Sequence, residues 1–200
     1  MPGFLDRRRA TLLMRDQGLS ALVLAQPESI IYATGAFPGV ASFWRRAGAA
    51  FVVVPADEAA PLTAIAGDLQ AGSFARQSQI ADVRSHRIWV ETGEWPPTPN
   101  AGPVREPRPA QYNLADSLRL LQDALIERGC AGEGVGLELG FVPVADFHAF
   151  SVMPFTWIDC SPLIEKLRSI KHPEEIDKLR RAALYARAGL QSLVRSITPG

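Results

Sequence analysis

Two unbroken apolar stretches, ALVLA at residues 21–25 and AAFVVV at 49–54, constrain the fold of this 200-residue chain more than any other feature. A strand with one wet face alternates apolar and polar side chains, whereas a continuous run of this length suits a strand buried on both faces. Such a strand needs helices above and below it. The neighbouring segments supply them. Residues 4–17 place Leu5, Leu12 and Leu13 on one helical face, and Gly18 stands where a helix ends in the left-handed conformation. After the first apolar run, Pro27 opens a brief helix that stops at Gly35, giving a β-turn-α unit.

The strand at 49–55 is followed, across a turn marked by Asp57 and Glu58, by a further strand at 62–66. A connection this short implies an antiparallel pair, so the sheet is expected to be mixed. Segments 80–83 and 87–91 are further strand candidates. Residues 94–109 carry Pro96, Pro97, Pro99, Pro103, Pro107 and Pro109 and can form neither ladder nor helix. They read as a connector inside one domain, because the strands before it still need covering helices from after it. Leu114, Leu118, Leu121 and Leu125 then repeat at helical spacing, with Asn113 as N-cap and Gly129 past the end. A strand at 134–139, a helix at 143–153 with Val144, Phe147 and Phe150 inward, and a strand at 155–158 describe a βαβ crossover. Finally, Pro173 suits the first position of a long helix, Glu174 and Glu175 complement its dipole, and Ile176, Leu179, Ala183, Leu190 and Ile197 mark one apolar face. Run to Ile197, that helix is roughly 37 Å long. The expected fold class is α/β, a mixed β-sheet flanked by helices, with a long C-terminal helix.

Composition narrows the function. A hydrophobic content of 47% supports one substantial core, and 21 basic residues balance 21 acidic ones, so no global field draws nucleic acid or an anionic membrane. Arg7, Arg8 and Arg9 read as a solvated helix face. No apolar segment follows them as in a signal peptide, and no run is long enough to span a bilayer, so a soluble, cytoplasmic protein is expected. Cys130 and Cys160 read as two buried, reduced thiols.

Catalytic motifs are absent from the sequence. His86, His148 and His172 are isolated, with no pair on one helical face to hold a metal. His148, beside Phe147, reads as half-buried and hydrogen-bonded, and His172 as a junction residue before Pro173. Gly132, Gly134 and Gly136 precede a strand, whereas a dinucleotide fingerprint follows one and opens a helix. No nucleophile elbow or Walker lysine is present, and neither cysteine has a histidine context. One loop stands out. Phe43, Trp44, Arg45 and Arg46 set two aromatics beside two guanidiniums, which can stack a ligand and grip a carboxylate through a fixed fork of donors. The alternative is a surface loop whose aromatics close over the core.

The string LRSIKHPEEI at 167–176, followed by Leu179-Arg180 and Ala182-Ala183, resembles the junction in creatinase and Xaa-Pro peptidases, the pita-bread metallopeptidases. GLSALVL at 18–24, SIIYATG at 29–35 and GVGLE at 134–138 agree with the same family in the same order. The resemblance implies a creatinase/prolidase N-terminal domain of ribonuclease H-like fold over 1–165, with 166–200 as linker and first helix of a catalytic domain that the sequence does not continue into. It implies no catalytic and no metal-binding residue in this chain, a parent hydrolase using two divalent metal ions (Mn, Zn or Co) on a peptide or other small molecule, and a homodimer. In creatinase-like members a Phe-x-Arg in this loop contacts substrate in the neighbouring subunit's active site. Phe43 and Arg45 match that pattern, while Trp44 stands where a small residue is usual, which disfavours creatine. The expected function is therefore dimerisation and completion of a substrate pocket by Phe43, Trp44 and Arg45. The competing readings are a creatinase-like C-N hydrolase acting on a small non-peptide substrate, and a stand-alone binding module of the same fold.

Overall fold

The computed structural model describes residues 3–88 and 114–197. The proline-rich connector, the N-cap at Asn113 and the strand expected beyond residue 88 lie outside the described residues. The chain forms two compact units, Met1–Leu167 and Arg168–Gly200.

In the first unit a six-stranded sheet runs in the order β4-β3-β2-β1-β5-β6. Central β1 (Leu19–Leu24) pairs antiparallel with β2 (Ala50–Pro55), placing Val23 opposite Val53, and parallel with β5 (Gly134–Leu137). Beyond β2, β3 (Thr63–Gly67) is antiparallel and β4 (Asp82–His86) parallel to β3; beyond β5, β6 (Thr156–Asp159) is again parallel. The mixed sheet expected from the short strand-turn-strand spacing is present.

The apolar runs serve two cores, one on each face. Leu22, Leu24, Val52 and Val54 point to the side occupied by Met14, Ile30, Phe74 and Leu163. Val23, Phe51 and Val53 point to the side occupied by Leu118, Leu121, Leu125 and Phe150. Because successive side chains alternate between faces, a strand covered on both sides must be apolar at every position, and all residues of β2 are buried. Burying each such Val, Leu or Phe stabilises the fold by about 1.5–3 kcal/mol before entropic costs. Gly136 in β5 is required by space: a Cβ there would lie 2.8 Å from both Cys160 Cβ and Leu22 Cδ2.

The covering helices are α1 (Arg7–Asp16), α2 (Pro27–Thr34), α4 (Asp68–Ser78), α5 (Leu114–Glu127), α6 (Val144–Ser151) and α7 (Ser161–Ser169), with the short α3 (Ala41–Trp44) inside the loop expected at 36–47. The left-handed ends expected at Gly18, Gly35 and Gly129 occur, with φ of 65°, 69° and 74°. Helices α4 and α7 were not anticipated. Within α4 only Phe74 is buried and Gly72 interrupts the middle, so no apolar stripe marks it. The strand expected at 80–83 is displaced to Asp82–His86, and Arg87 and Ile88 lie outside it. The strand expected through 139 ends at Leu137 and passes into a 3-10 turn, Leu139–Phe141.

Three side-chain expectations need correction. Val144 begins α6 and is 91% exposed, while Phe150 is fully buried and Phe147 partly. His148 is exposed. Arg7 and Arg9 do not form a solvated face: Arg7 Nη2 donates to the carbonyls of Asp57 (2.7 Å) and Ala60 (3.2 Å), and Arg9 to those of Lys166 (2.7 Å) and Leu167 (3.2 Å). A guanidinium has five donors, and here two guanidiniums staple the first helix to the β2–β3 turn and to the last part of α7. Cys130 and Cys160 are buried and free, as expected.

The second unit is dominated by α8 (Pro173–Ser196). His172 caps it, its ring accepting from Glu174 N while Glu175 Oε2 accepts from His172 N at 2.9 Å, a reciprocal arrangement that satisfies two helix-end donors. Among the described residues no helix is long and apolar enough to cross a membrane.

Candidate functional site

The parallel strands β1 and β5 end side by side, and the segments leaving them are held by one carboxylate. Glu138, the residue after β5, is only 2% exposed. Its Oε2 accepts from the backbone N-H groups of Ala25 (2.7 Å) and Gln26 (2.8 Å), and its Oε1 accepts from Ser29 Oγ at 2.5 Å. An anion belongs at this spot, because the Ala25 and Gln26 N-H groups just ahead of α2 need an acceptor and the positive end of the helix dipole lies there. The strings SIIYATG and GVGLE, more than 100 residues apart, therefore meet through Ser29 and Glu138. At the end of β6, Asp159 accepts from Leu139 N (3.2 Å) and from Ser161 N and Oγ (3.0 and 2.6 Å). Partial burial raises the Asp159 pKa, but these hydrogen bonds outweigh it and hold the carboxyl below its usual range.

Loop 36–48 is braced over this edge from several sides. Phe37 N donates to Gln77 Oε1 of α4 at 3.1 Å, and Gly39 is pressed against Gln70 so closely that a Cβ would come within 2.0 Å of its Cγ. Arg46 reaches the largely buried Asp146 carboxylate of α6 at 3.3 and 3.4 Å. Arg45 turns the other way. Its Nη1 donates to Glu28 Oε1 at 2.7 Å and its Nη2 to Glu28 Oε2 at 3.4 Å, and its guanidinium carbon stands 5.8 Å from the centroid of the Phe141 ring. The hydrogen bonds from Arg45 lower the Glu28 pKa, and the same pairing raises that of Arg45. Arg45 closes α3 at φ 48°, a left-handed conformation that a residue with a Cβ adopts only when its surroundings impose it.

The three residues expected to form the site divide between inside and outside. Phe43 is 77% exposed and meets the half-exposed Phe37 edge to face, with ring centroids 6.1 Å apart. Trp44 packs partly against the core under the loop. Arg45 is exposed and paired with Glu28. Sequence reasoning did not find Phe37 of the same loop, or Glu28 and Phe141, which join this surface from two other segments; the chemical match of Glu28 to Arg45 was a signal without an address.

This arrangement can bind and orient but carries no nucleophile with a base. His86 is buried, its Nε2 lying 3.4 Å from the carbonyl of Ala49, and His172 is occupied at the helix cap. Among the described residues no group of three or more His, Cys, Asp or Glu could hold a metal ion.

A family model described as the creatinase/prolidase N-terminal domain matches residues 7–170. Over 88 residues the chain is 36% identical to an uncharacterized hydrolase/peptidase, y4tL, of Sinorhizobium fredii, a match covering 42% of this chain and 23% of that protein. Its fold resembles an Xaa-Pro dipeptidase from Bacillus anthracis (TM-score 0.68, 19% identity, 97% of this chain and 43% of that one). It also resembles the N-terminal domain of the cytoplasmic peptidase PepQ from Mycobacterium tuberculosis (TM-score 0.55, 15% identity, 80% and 96%). The chain thus spans less than half the length of the y4tL protein and of the Bacillus dipeptidase, and at these identities the structural likeness shows the fold.

Proposed function

This chain belongs to the creatinase/prolidase N-terminal domain family, and from that premise we propose that it is the non-catalytic N-terminal domain of a cytoplasmic Xaa-Pro peptidase-like hydrolase, supporting dimerisation and completing a substrate pocket. The observation that carries the pocket role is the exposure of both Phe43 and Arg45, two residues apart on a loop braced by Gln77 and Asp146. An aromatic face next to a guanidinium fork suits a small ligand with an apolar ring and a carboxylate, which describes a peptide ending in proline.

Hydrolysis in such an enzyme would draw on two divalent ions, manganese, zinc or cobalt, to activate water. The described residues of this chain offer no carboxylate and histidine set that fits such a pair, so its own part is to bind and position. Loaded with manganese or zinc, the 200-residue chain is expected to retain no tightly held metal pair and to turn over no proline dipeptide. In the peptidase that contains the domain, Arg45→Ala is expected to lower kcat/KM about tenfold to a hundredfold, the range for a charge-assisted contact, and Arg45→Lys should not restore it. Unchanged kinetics with a lowered melting temperature would assign the loop to structure alone.

A further inference from the structure

The loop that carries Phe43 and Arg45 returns to the sheet through Gly48 and Ala49, and side chains from distant parts of the chain meet both carbonyls there. Ser117 Oγ of α5 donates to Gly48 O at 2.6 Å, and His86 Nε2, at the end of β4, lies 3.4 Å from Ala49 O. We propose that Ser117 and His86 are positioning residues, fixing the exit of this loop and through it the placement of Phe43 and Arg45. The inference rests on the ligand-contacting role of those two residues given above and names what sets their position.

The chemistry of the two pins sets them apart from ordinary core contacts. Ser117 is 0% and His86 5% exposed, so water does not compete for either carbonyl. A serine inside a helix commonly bonds back to its own backbone one turn earlier, whereas Ser117 donates to a carbonyl 69 residues away. His86 reaches further across the sheet. Ala49 immediately precedes β2, so the imidazole spans the intervening strand β3 at Gly67, its partner in the ladder, where no side chain stands in the way. With Nε2 turned to Ala49, His86 Nδ1 is left buried without a hydrogen-bond partner among the described residues. Such an atom opposes folding, and a leucine would fill the space without it, so core stability alone does not account for a histidine at this position.

The path from the pins to the exposed side chains is short and stiff. Trp44 N donates to Val40 O at 2.9 Å and Arg45 N to Ala41 O at 3.0 Å, which ties residues 40–45 into one turn. Arg45 and Gly48 form left-handed corners at φ 48° and 98°, and Ala47 between them is fully buried. A displacement of Gly48 therefore passes to Arg45 instead of being absorbed along the way.

Hydrogen exchange at the Trp44 and Arg45 amides of the 200-residue chain tests the pins, alongside kinetics of the peptidase that contains the domain. Ser117→Ala removes the shorter contact, and Gly136→Ala in β5 serves as a destabilised control that leaves the loop untouched. Compared at equal global stability, the two amides are expected to exchange about two- to tenfold faster in Ser117→Ala than in the control, the factor for one lost hydrogen bond. In the peptidase Ser117→Ala should lower kcat/KM by a similar factor, and its loss combined with that of Arg45→Ala should fall short of their product, because Ser117 acts through the loop. Equal exchange in Ser117→Ala and Gly136→Ala, or fully multiplicative kinetic losses, would overturn the positioning role. Unchanged kinetics in Arg45→Ala would instead remove the ligand role, and the exchange comparison would still uphold or sink the pinning. His86→Leu gives a second test that does not depend on the first variant folding. It removes the orphaned Nδ1 together with the pin, so it is expected to melt near the unmodified chain while the loop amides exchange faster. A lowered melting temperature with unchanged loop exchange would assign His86 to the core.

Discussion

Removing the Glu138 carboxylate should cost the first unit a large part of its stability, and the size of the loss depends on what replaces it. In Glu138→Ala the Ala25 and Gln26 amides lose their shared acceptor and Ser29 Oγ loses its own, all in a region closed to water at Ala25 and Ser29. Each orphaned buried donor costs about 1–3 kcal/mol, and the contributions are not fully additive, which places the total at about 3–5 kcal/mol. Glu138→Gln is different. A glutamine carbonyl in the position of Oε2 still accepts both backbone N-H groups, and its amide can donate to Ser29 Oγ, which accepts as readily as it donates. What remains lost is charge assistance, about 1–1.5 kcal/mol. For a domain of this size 1 kcal/mol corresponds to about 2–4 °C, so the alanine variant should melt roughly 6–20 °C lower and the glutamine variant only about 2–6 °C lower. Thermal and urea unfolding followed by circular dichroism measure both. A glutamine variant as unstable as the alanine variant would refute the reasoning, because it would mean that the negative charge, and not the acceptor geometry, holds the two segments together.

Arg45→Gly should be about 1–2 kcal/mol more stable than Arg45→Ala, since both lose the Glu28 contact but only glycine adopts φ 48° without strain; equal melting temperatures would remove the strain argument. Gly136→Ala should lose about 1–3 kcal/mol, because its Cβ meets Cys160 and Leu22 at 2.8 Å, and a neutral effect in urea melts would show that β5 can shift to make room. At Asp82, burial pushes the pKa up but hydrogen bonds from Arg84 and Thr63 more than offset it, so the folded value lies below the ordinary 3.8. The unfolded state then binds the proton more tightly, and this contribution is complete above about pH 4 and lost as pH falls through the folded value. Asp82→Asn should flatten that acid limb of the stability curve, and an unchanged limb would assign acid sensitivity to other groups.

Much of this architecture was written in local pattern. The runs ALVLA and AAFVVV specified strands buried on both faces because alternation of side chains leaves such a strand no polar position, and β1 and β2 sit in the middle of the sheet. Gly18, Gly35 and Gly129 marked helix ends because each adopts positive φ there, and Pro173 marked the start of α8 because a missing N-H costs nothing in a first turn. Phe43, Trp44 and Arg45 were candidate ligand contacts by residue chemistry and by their match to a motif; in the fold Phe43 and Arg45 are exposed and Trp44 is partly buried.

Other features depended on the folded chain. Helix α4 buries one aromatic and α7 is short, so periodicity had too few apolar positions to reveal them, and packing against the sheet decided both. Arg7 and Arg9 resembled a solvated run because their acceptors are carbonyls 50 to 158 residues away. A separation of 109 residues likewise hid Glu138 as the clamp on Ser29, and even the 17 residues between Glu28 and Arg45 exceed the reach of local pattern. Periodicity and turn chemistry reach only a few residues along the chain, so the sequence by itself determined the central strands and the helices with a clear apolar stripe or cap, and not α4 or α7. Which charge meets which depends on how the sheet orders its strands, and that was settled only when β1 and β5 came together.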